Sequence, residues 1–441
     1  MGRLLLVAAC AVPTSLLLFA RQSQGPTGHP ATDSAAVARS AYARAVAALR
    51  EADTPTARRE LARAASAWPT QPAYVWGRAV LALRTADTAT VLDALTRYAD
   101  LGLGRDLQSD SALAALAARP AFRAVAARHA AQSAPLARSR PRIVLPDSTF
   151  FPEGMDVDSR TGLVYVASVR HRTIAELTPR GDYIREIFPR EGVGLGAMLG
   201  VRVDAKRGVL WVTMAGIPQM AGFAPADSDR NALLRVRLPY GEIDGRWFLP
   251  PSPSGHTLGD VAIGPLGDVY ATDSRDPVLY RLAADTDSLE PMRHPLFRSL
   301  QGIAPAPGGQ MVFVADYSHG LLRADMLSGE VVRIADAPGM TSLGCDGIAW
   351  YDGSIIAVQN GVSPPRVMRF DLDSAWTRIV RARVLDRNTA IADEPTIGVV
   401  LGDEFVYVAN SQWEKYDDAG RRVPRTALRK PVLLSLPLAG R

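Results

Sequence analysis

From Phe151 onward, apolar residues alternate with polar ones in short runs, each closed by Gly, Pro, Asp or Ser. Alternation with period two between such breakers predicts half-buried β-strands. One phrase recurs: a polar residue or Gly, an apolar strand, a Gly-containing turn and a second apolar strand. It reads Gly154-Met-Asp-Val-Asp-Ser-Arg-Thr-Gly-Leu-Val-Tyr-Val-Ala-Ser168 in one copy and Gly200-Val-Arg-Val-Asp-Ala-Lys-Arg-Gly-Val-Leu-Trp-Val-Thr-Met214 in the next. Further copies begin at Asp260, Gly302 and Gly347, and a fainter one at Ile397. Successive starts lie 42 to 60 residues apart, the length that four short strands require. A weaker strand pair follows the phrase, as at Thr173–Leu177, Ala232–Val236, Pro277–Arg281 and Arg366–Phe370.

These copies predict an all-β six-bladed propeller over residues 142 to 438. A ring of blades closes without open edges when its two chain ends share a blade. Pro141–Leu145, just before the first copy, and Pro431–Leu436, near the C-terminus, are expected to pair or flank one another in that closing blade.

Residues 34 to 132 lack the alternation and read as Ala-rich amphipathic helix. Ala48-Leu-Arg-Glu-Ala-Asp-Thr54 returns as Ala82-Leu-Arg-Thr-Ala-Asp-Thr88, an offset of 34 residues. That is the tetratricopeptide period, and the segment resembles such repeats over about two units. So short an array is expected to dock on the propeller or on a protein partner. A Ser-, Pro- and Arg-rich linker spans 133 to 141.

Composition narrows the classes. The 441 residues carry a formal charge of +5 with both signs interspersed and no basic run, which argues against nucleic-acid binding. Residues 4 to 20 are almost wholly apolar after Arg3, and a polar stretch at 21 to 33 follows. Residues 1 to 20 are therefore read as a signal peptide or N-terminal anchor, which places the protein in the periplasm or outside the cell, or on the membrane if residues 4 to 20 are retained. Val7-Ala-Ala-Cys10 resembles a lipoprotein cleavage box, with a short apolar region before it. Cys10 and Cys345 are the two cysteines, so a chain cut after Ala20 forms no internal disulfide, and Cys345 is expected to be buried.

Residues at the start of each blade's first strand converge on one mouth of the ring. The positions before the six starts are Glu153, Leu199, Gly259, Gln301, Asp346 and Thr396. Two carboxylates and a carboxamide thus share a mouth, with Asp260 nearby, and hard oxygens of this kind suit calcium, magnesium or manganese. His171, His256 and His319 fall in loops and are expected to be solvated, while Asn360 and Asn410 are expected to shape turns. Trp211 and Trp350 are expected in inter-blade packing. Two long insertions, Gly216 to Asp229 and the one opening at Ser411-Gln-Trp-Glu-Lys-Tyr416, are placed to cover a channel mouth.

Phe151-Pro-Glu153-Gly, Leu258-Gly-Asp260-Val, Leu300-Gln301-Gly-Ile and Cys345-Asp346-Gly-Ile resemble the channel motifs of the family that comprises gluconolactonase, regucalcin and luciferin-regenerating enzyme. The resemblance implies one divalent cation, commonly calcium, held by Glu153, Gln301 and Asp346. It implies Gly259 and Asp260 at the positions of an Asn-Asp pair that holds metal water and substrate, and Thr257 at a substrate-binding position. Gln301 stands where the family has Asn, Gly259 where it has another Asn, and Thr257 where it often has Arg. The implied chemistry is metal-assisted hydrolysis of a lactone or ester, with Asp346 or Asp260 taking the proton. The rival reading is a non-catalytic propeller similar to NHL-repeat scaffolds, its partners docking on loops and helices. A quinone-cofactor sugar dehydrogenase ranks last, because no set of basic cofactor ligands stands out.

Overall fold

The computed structural model describes residues 34–192 and 194–439. The leader and the linker expected at 1–33 lie outside the described residues. Six four-stranded antiparallel sheets make up the C-terminal part; five run from innermost to outermost strand in chain order, and the sixth takes its outermost strand from before the first blade. Their inner strands are Pro152–Val157, Ala197–Asp204, Leu258–Ile263, Leu300–Pro305, Cys345–Tyr351 and Gly398–Leu401, belonging to blades 1 to 6. Each inner strand packs beside the next, and that of blade 6 returns to that of blade 1, so the ring is closed.

Closure joins the chain ends in the expected way. Blade 6 takes three strands from the C-terminus and its outermost, Arg140–Val144, from before blade 1. That strand runs antiparallel to Val432–Pro437, with Arg140 opposite Ser435 and Val144 opposite Val432. Arg140–Val144 thereby becomes the outer edge strand of blade 6, and the ring closes with strands from both ends of the domain in one sheet.

The second strands are buried on both faces because each blade is sandwiched between neighbours; Val164–Ser168 is buried throughout. Side chains of adjacent blades interlock, as where Phe313 of blade 4 stacks on Trp350 of blade 5 at 5.3 Å. Trp211 packs in the same way among blade 3 residues such as Val261 and Tyr280. Around the axis there is no room for side chains. A Cβ on Gly154 would lie 2.3 Å from the Leu199 carbonyl oxygen, and one on Gly302 would lie 2.3 Å from that of Asp346. Backbone contact between inner strands is why Gly opens most copies of the phrase.

Five α-helices precede the ring: α1 (Ser34–Arg50), α2 (Thr54–Ala67), α3 (Pro72–Arg84), α4 (Thr88–Asp100) and α5 (Pro120–Ser133). The 34-residue echo is one turn built twice. Ala52 and Ala86 take left-handed φ of 59° and 53°, the following Asp53 and Asp87 donate to Ala48 and Ala82 carbonyls, and both Asp side chains cap the next helix at Thr56 and Thr90. Alanines at 35, 38, 41, 45 and 48 form the buried face of α1, so the helices approach closely.

The helices sit on blades 4 and 5. Leu343 is buried among residues of α1, α2 and α3. Thr70 donates to Asp336 at 2.9 Å, and Arg366 donates to the Gly102 carbonyl at 2.7 Å. Trp68 stacks on His319 at 5.6 Å and lies under Arg333.

Candidate cation site at the channel mouth

In an antiparallel blade, the start of the inner strand shares a face with the loop joining the second and third strands. That face carries Glu153, Gln301 and Asp346, the two insertions at 216–229 and 411–430, and the helix-bearing loops of blades 4 and 5. The insertions meet each other: Gln219 donates its side-chain amide to the Asp417 carbonyl at 3.2 Å.

Glu153 is the second residue of its strand and is buried. Its carboxylate accepts the indole N–H of Trp413 at 2.7 Å, and its backbone carbonyl accepts the Thr396 hydroxyl at 3.0 Å, tying blade 6 to blade 1. Phe151, two residues earlier, is fully buried with φ of 48°, a costly conformation for a bulky residue. It is held there by Trp413, edge-on at 4.9 Å, and by Tyr416, stacked at 5.2 Å.

Asp346 is the second residue of Cys345–Tyr351 and accepts the side-chain N–H of Asn360 at 2.7 Å. Asn360 also donates to the Pro395 carbonyl at 2.9 Å, while its Oδ1 is buried with no hydrogen-bond partner. Gln301 is partly exposed, its amide N–H reaching Ser299 at 3.4 Å.

Burial dominates the electrostatics of the mouth. It pushes the Glu153 carboxyl well above its usual range, and the charges of Asp346, Glu394 and Asp260 push it further against the opposing Trp413 N–H. Burial raises Asp346 to about 7, with the Asn360 N–H opposing and Asp260 adding. Glu394 rises to about 8, through burial and then the neighbouring Glu414 charge, although its carboxylate accepts the Glu414 amide. Burial and mutual repulsion thus favour the protonated forms of these acids.

Asp260 is placed differently from the catalytic and substrate-binding roles expected of it. It is 1 % exposed, accepts the backbone N–H of Val261 at 2.8 Å and of Ile303 at 3.2 Å, and lies 3.5 Å from Arg202. Its oxygens are committed to stapling blade 3 to blade 4. Thr257 precedes the strand and donates its hydroxyl to the His256 carbonyl at 2.9 Å. At Gly259 a Cβ would meet nothing nearer than 3.8 Å, so the missing side chain there leaves space.

The loop histidines are buried, contrary to the solvation expected of them. His256 lies between Asp273 at 2.5 Å and the Pro250 carbonyl at 2.7 Å. His319 lies between Trp68 and Arg39, and burial drives its pKa down to about 3. His171 contacts Thr149 at 3.1 Å. Docked helices and packed loops exclude the water that a loop histidine would otherwise meet. Asn410, expected to shape a turn, instead ties the two ends of the blade 6 insertion together, accepting the Val432 N–H at 2.8 Å and donating to the Lys430 carbonyl at 3.1 Å; Cys345 is buried.

Sequence reasoning missed Asn360, Glu394 and Trp413 as site residues. Asn360 directly follows the fifth copy of the phrase, and that spacing could have flagged it. The other two lie in irregular chain without a period. Among the described residues, no group of three or more His, Cys, Asp or Glu side chains gathers closely enough to hold an ion. A cation at the mouth would thus combine Glu153 and Asp346 with a carboxamide oxygen. A cavity of about 240 Å³ opens on the opposite face, between blades 2 and 3, beside Trp211, Trp247 and Arg235. It is remote from these acids.

No protein-family model matches the sequence, and no curated protein matches it. Among solved structures, it is similar to selenomethionine-substituted virginiamycin B lyase from Staphylococcus aureus, at 15% identity and a TM-score of 0.43, over 60% of this chain and 79% of that one. It is also similar to the PQQ-bound aldose sugar dehydrogenase from Streptomyces coelicolor, at 17% identity and a TM-score of 0.46, over 69% of this chain and 99% of that one. Likeness at these levels carries no argument about activity. The class is defined by the architecture itself: a six-bladed β-propeller with a short helical segment before it. The resemblance to the gluconolactonase–regucalcin family rests on the channel motifs.

Proposed function

We propose that the channel mouth binds a divalent cation, calcium first among the candidates, through Glu153, Gln301 and Asp346, and that the bound site hydrolyses a lactone or ester. One observation carries this reading. Glu153 is buried and Asp346 half-buried, and the side-chain partner of each carboxylate is one neutral N–H, from Trp413 and from Asn360. A cation would stabilise two carboxylates held in this way. The donors are hard oxygens, and the unpartnered Oδ1 of Asn360 beside Asp346 offers another.

A bound divalent ion would polarise a carbonyl and acidify water. The chain's own residues do the rest. Asp346, oriented by the Asn360 N–H, is the carboxylate assigned to take a proton from water and return it to the leaving oxygen. Trp413 and Asn360 each fix one carboxylate by a single N–H. Asp260 holds blades 3 and 4 in register rather than taking the proton. The joined insertions wall one side of the mouth and limit which substrates enter. We place the protein outside the cytoplasm on the strength of its apolar N-terminal sequence, and assign the tetratricopeptide-like helices to docking on the propeller, which their contacts with blades 4 and 5 support.

Calorimetric titration with calcium, repeated on Glu153→Gln and Asp346→Asn, tests the binding, and turnover of a lactone panel with and without calcium tests the chemistry. Binding lost in both variants, with calcium-dependent turnover in the wild type, supports the reading. Absence of binding, or binding indifferent to both substitutions, leaves the non-catalytic scaffold.

A further inference from the structure

The insertion after the second strand of blade 6 does more than cover the mouth, because its side chains reach the acids directly. Gln412 is 2 % exposed and adopts a left-handed φ of 78°. Its amide N–H donates to the Ser148 carbonyl at 3.0 Å and its Oε1 accepts the Arg429 N–H at 2.9 Å, so this one residue clamps both the entry to blade 1 and its own loop. Trp413 follows, and its ring is wedged edge-on against the strained Phe151 at 4.9 Å. The next backbone N–H, that of Glu414, is donated to the Glu394 carboxylate at 3.1 Å. Tyr416 closes the turn by stacking on Phe151 at 5.2 Å. The indole is thereby aimed from both sides along the chain, and its N–H ends 2.7 Å from Glu153 Oε2.

Resting on the cation reading above, we propose that Trp413 is the positioning residue of the site: its N–H occupies one oxygen of Glu153, holds that carboxylate to a single oxygen toward an ion, and places the indole where an arriving cation alters its environment. A residue in an insertion, outside the blade repeat, then sets both the affinity and the coordination of the ion. With Glu153 limited to one oxygen, the remaining positions around an ion fall to Gln301, Asp346 and water, a monodentate arrangement that calcium accepts.

The test is a calcium titration of the full chain, followed by calorimetry and by tryptophan emission, on wild type, Trp413→Phe and Trp413→His. Phe keeps the ring against Phe151 and deletes only the N–H, whereas His retains a ring N–H. A hydrogen bond to a charged group predicts about a tenfold loss of affinity in Trp413→Phe, and less than about a threefold loss in Trp413→His. Calcium changes the wild-type emission, and Trp413→Phe abolishes that change. Wild type that binds calcium while Trp413→Phe binds equally well, or keeps the emission change, overturns this inference alone. Equal loss in Phe and His reduces Trp413 to packing and also overturns it. Wild type that binds no calcium overturns the cation reading, and this inference falls with it.

Discussion

Gly154 and Leu199 touch across the first two blades: a single added methyl carbon on Gly154 would sit 2.3 Å from the Leu199 carbonyl oxygen. The obstacle is backbone, held in a closed ring, and cannot rotate aside as a side chain would. Gly154→Ala is therefore expected to destabilise the propeller by about 1–3 kcal/mol, the range of core overpacking. Gly194→Ala, where a Cβ would meet nothing within 4 Å but φ is 78°, carries backbone strain without the clash and should cost less. Chemical denaturation midpoints of the two variants check the order.

Arg366 is 2 % exposed and joins the helices to blade 5, donating to the Gly102 carbonyl at 2.7 Å and to Gln359 Oε1 at 2.6 Å. Burial without a carboxylate partner lowers its pKa to about 10. Arg366→Ala strands a carbonyl at the helix–propeller seam and should cost about 1–3 kcal/mol. Limited proteolysis is expected to cut the 133–141 linker several-fold faster in this variant. Unchanged cleavage would mean that the helices are held by other contacts.

Glu394 supplies a pH signature. Its folded pKa is raised to about 8 from the ordinary 4.5, so between those values the unfolded chain releases a proton that the folded one keeps. Stability contributed by this group is present below about pH 4.5 and is lost as pH rises toward 8. Glu394→Gln removes the loss, so its thermal midpoint should exceed that of wild type by about 2 °C or more at pH 8 and match it at pH 4.5. Midpoints that differ equally at both pH values would contradict the shift.

The architecture was legible because its cause is periodic. Strands buried between blades repeat the same alternation, and backbone contact at the axis demands Gly at 154, 200, 302 and 347. The sixth copy was faint for a related reason: Gly347 packs against the Cα of Ile397, so blade 6 offers the surface and needs no Gly there. Glu153 and Asp346 could be found from their place before each start. Trp413 and Glu394 could not, since they reach the mouth from irregular chain whose path is set by tertiary contacts such as those of Gln412. Asp260 matches a motif position, and what the sequence could not show is that its oxygens accept the Val261 and Ile303 amides. His319 misled because its solvent is displaced by Trp68, remote in sequence.

The most direct measurement is anomalous diffraction from crystals soaked in manganese, an ion that takes the same hard oxygen ligands and can be located without ambiguity. The account predicts a single strong peak at the channel mouth, within about 2.6 Å of oxygens from Glu153, Gln301 or Asn360, and Asp346, a typical range for ion–oxygen bonds. A mouth without a peak, or a peak bound only elsewhere on the protein, would contradict it.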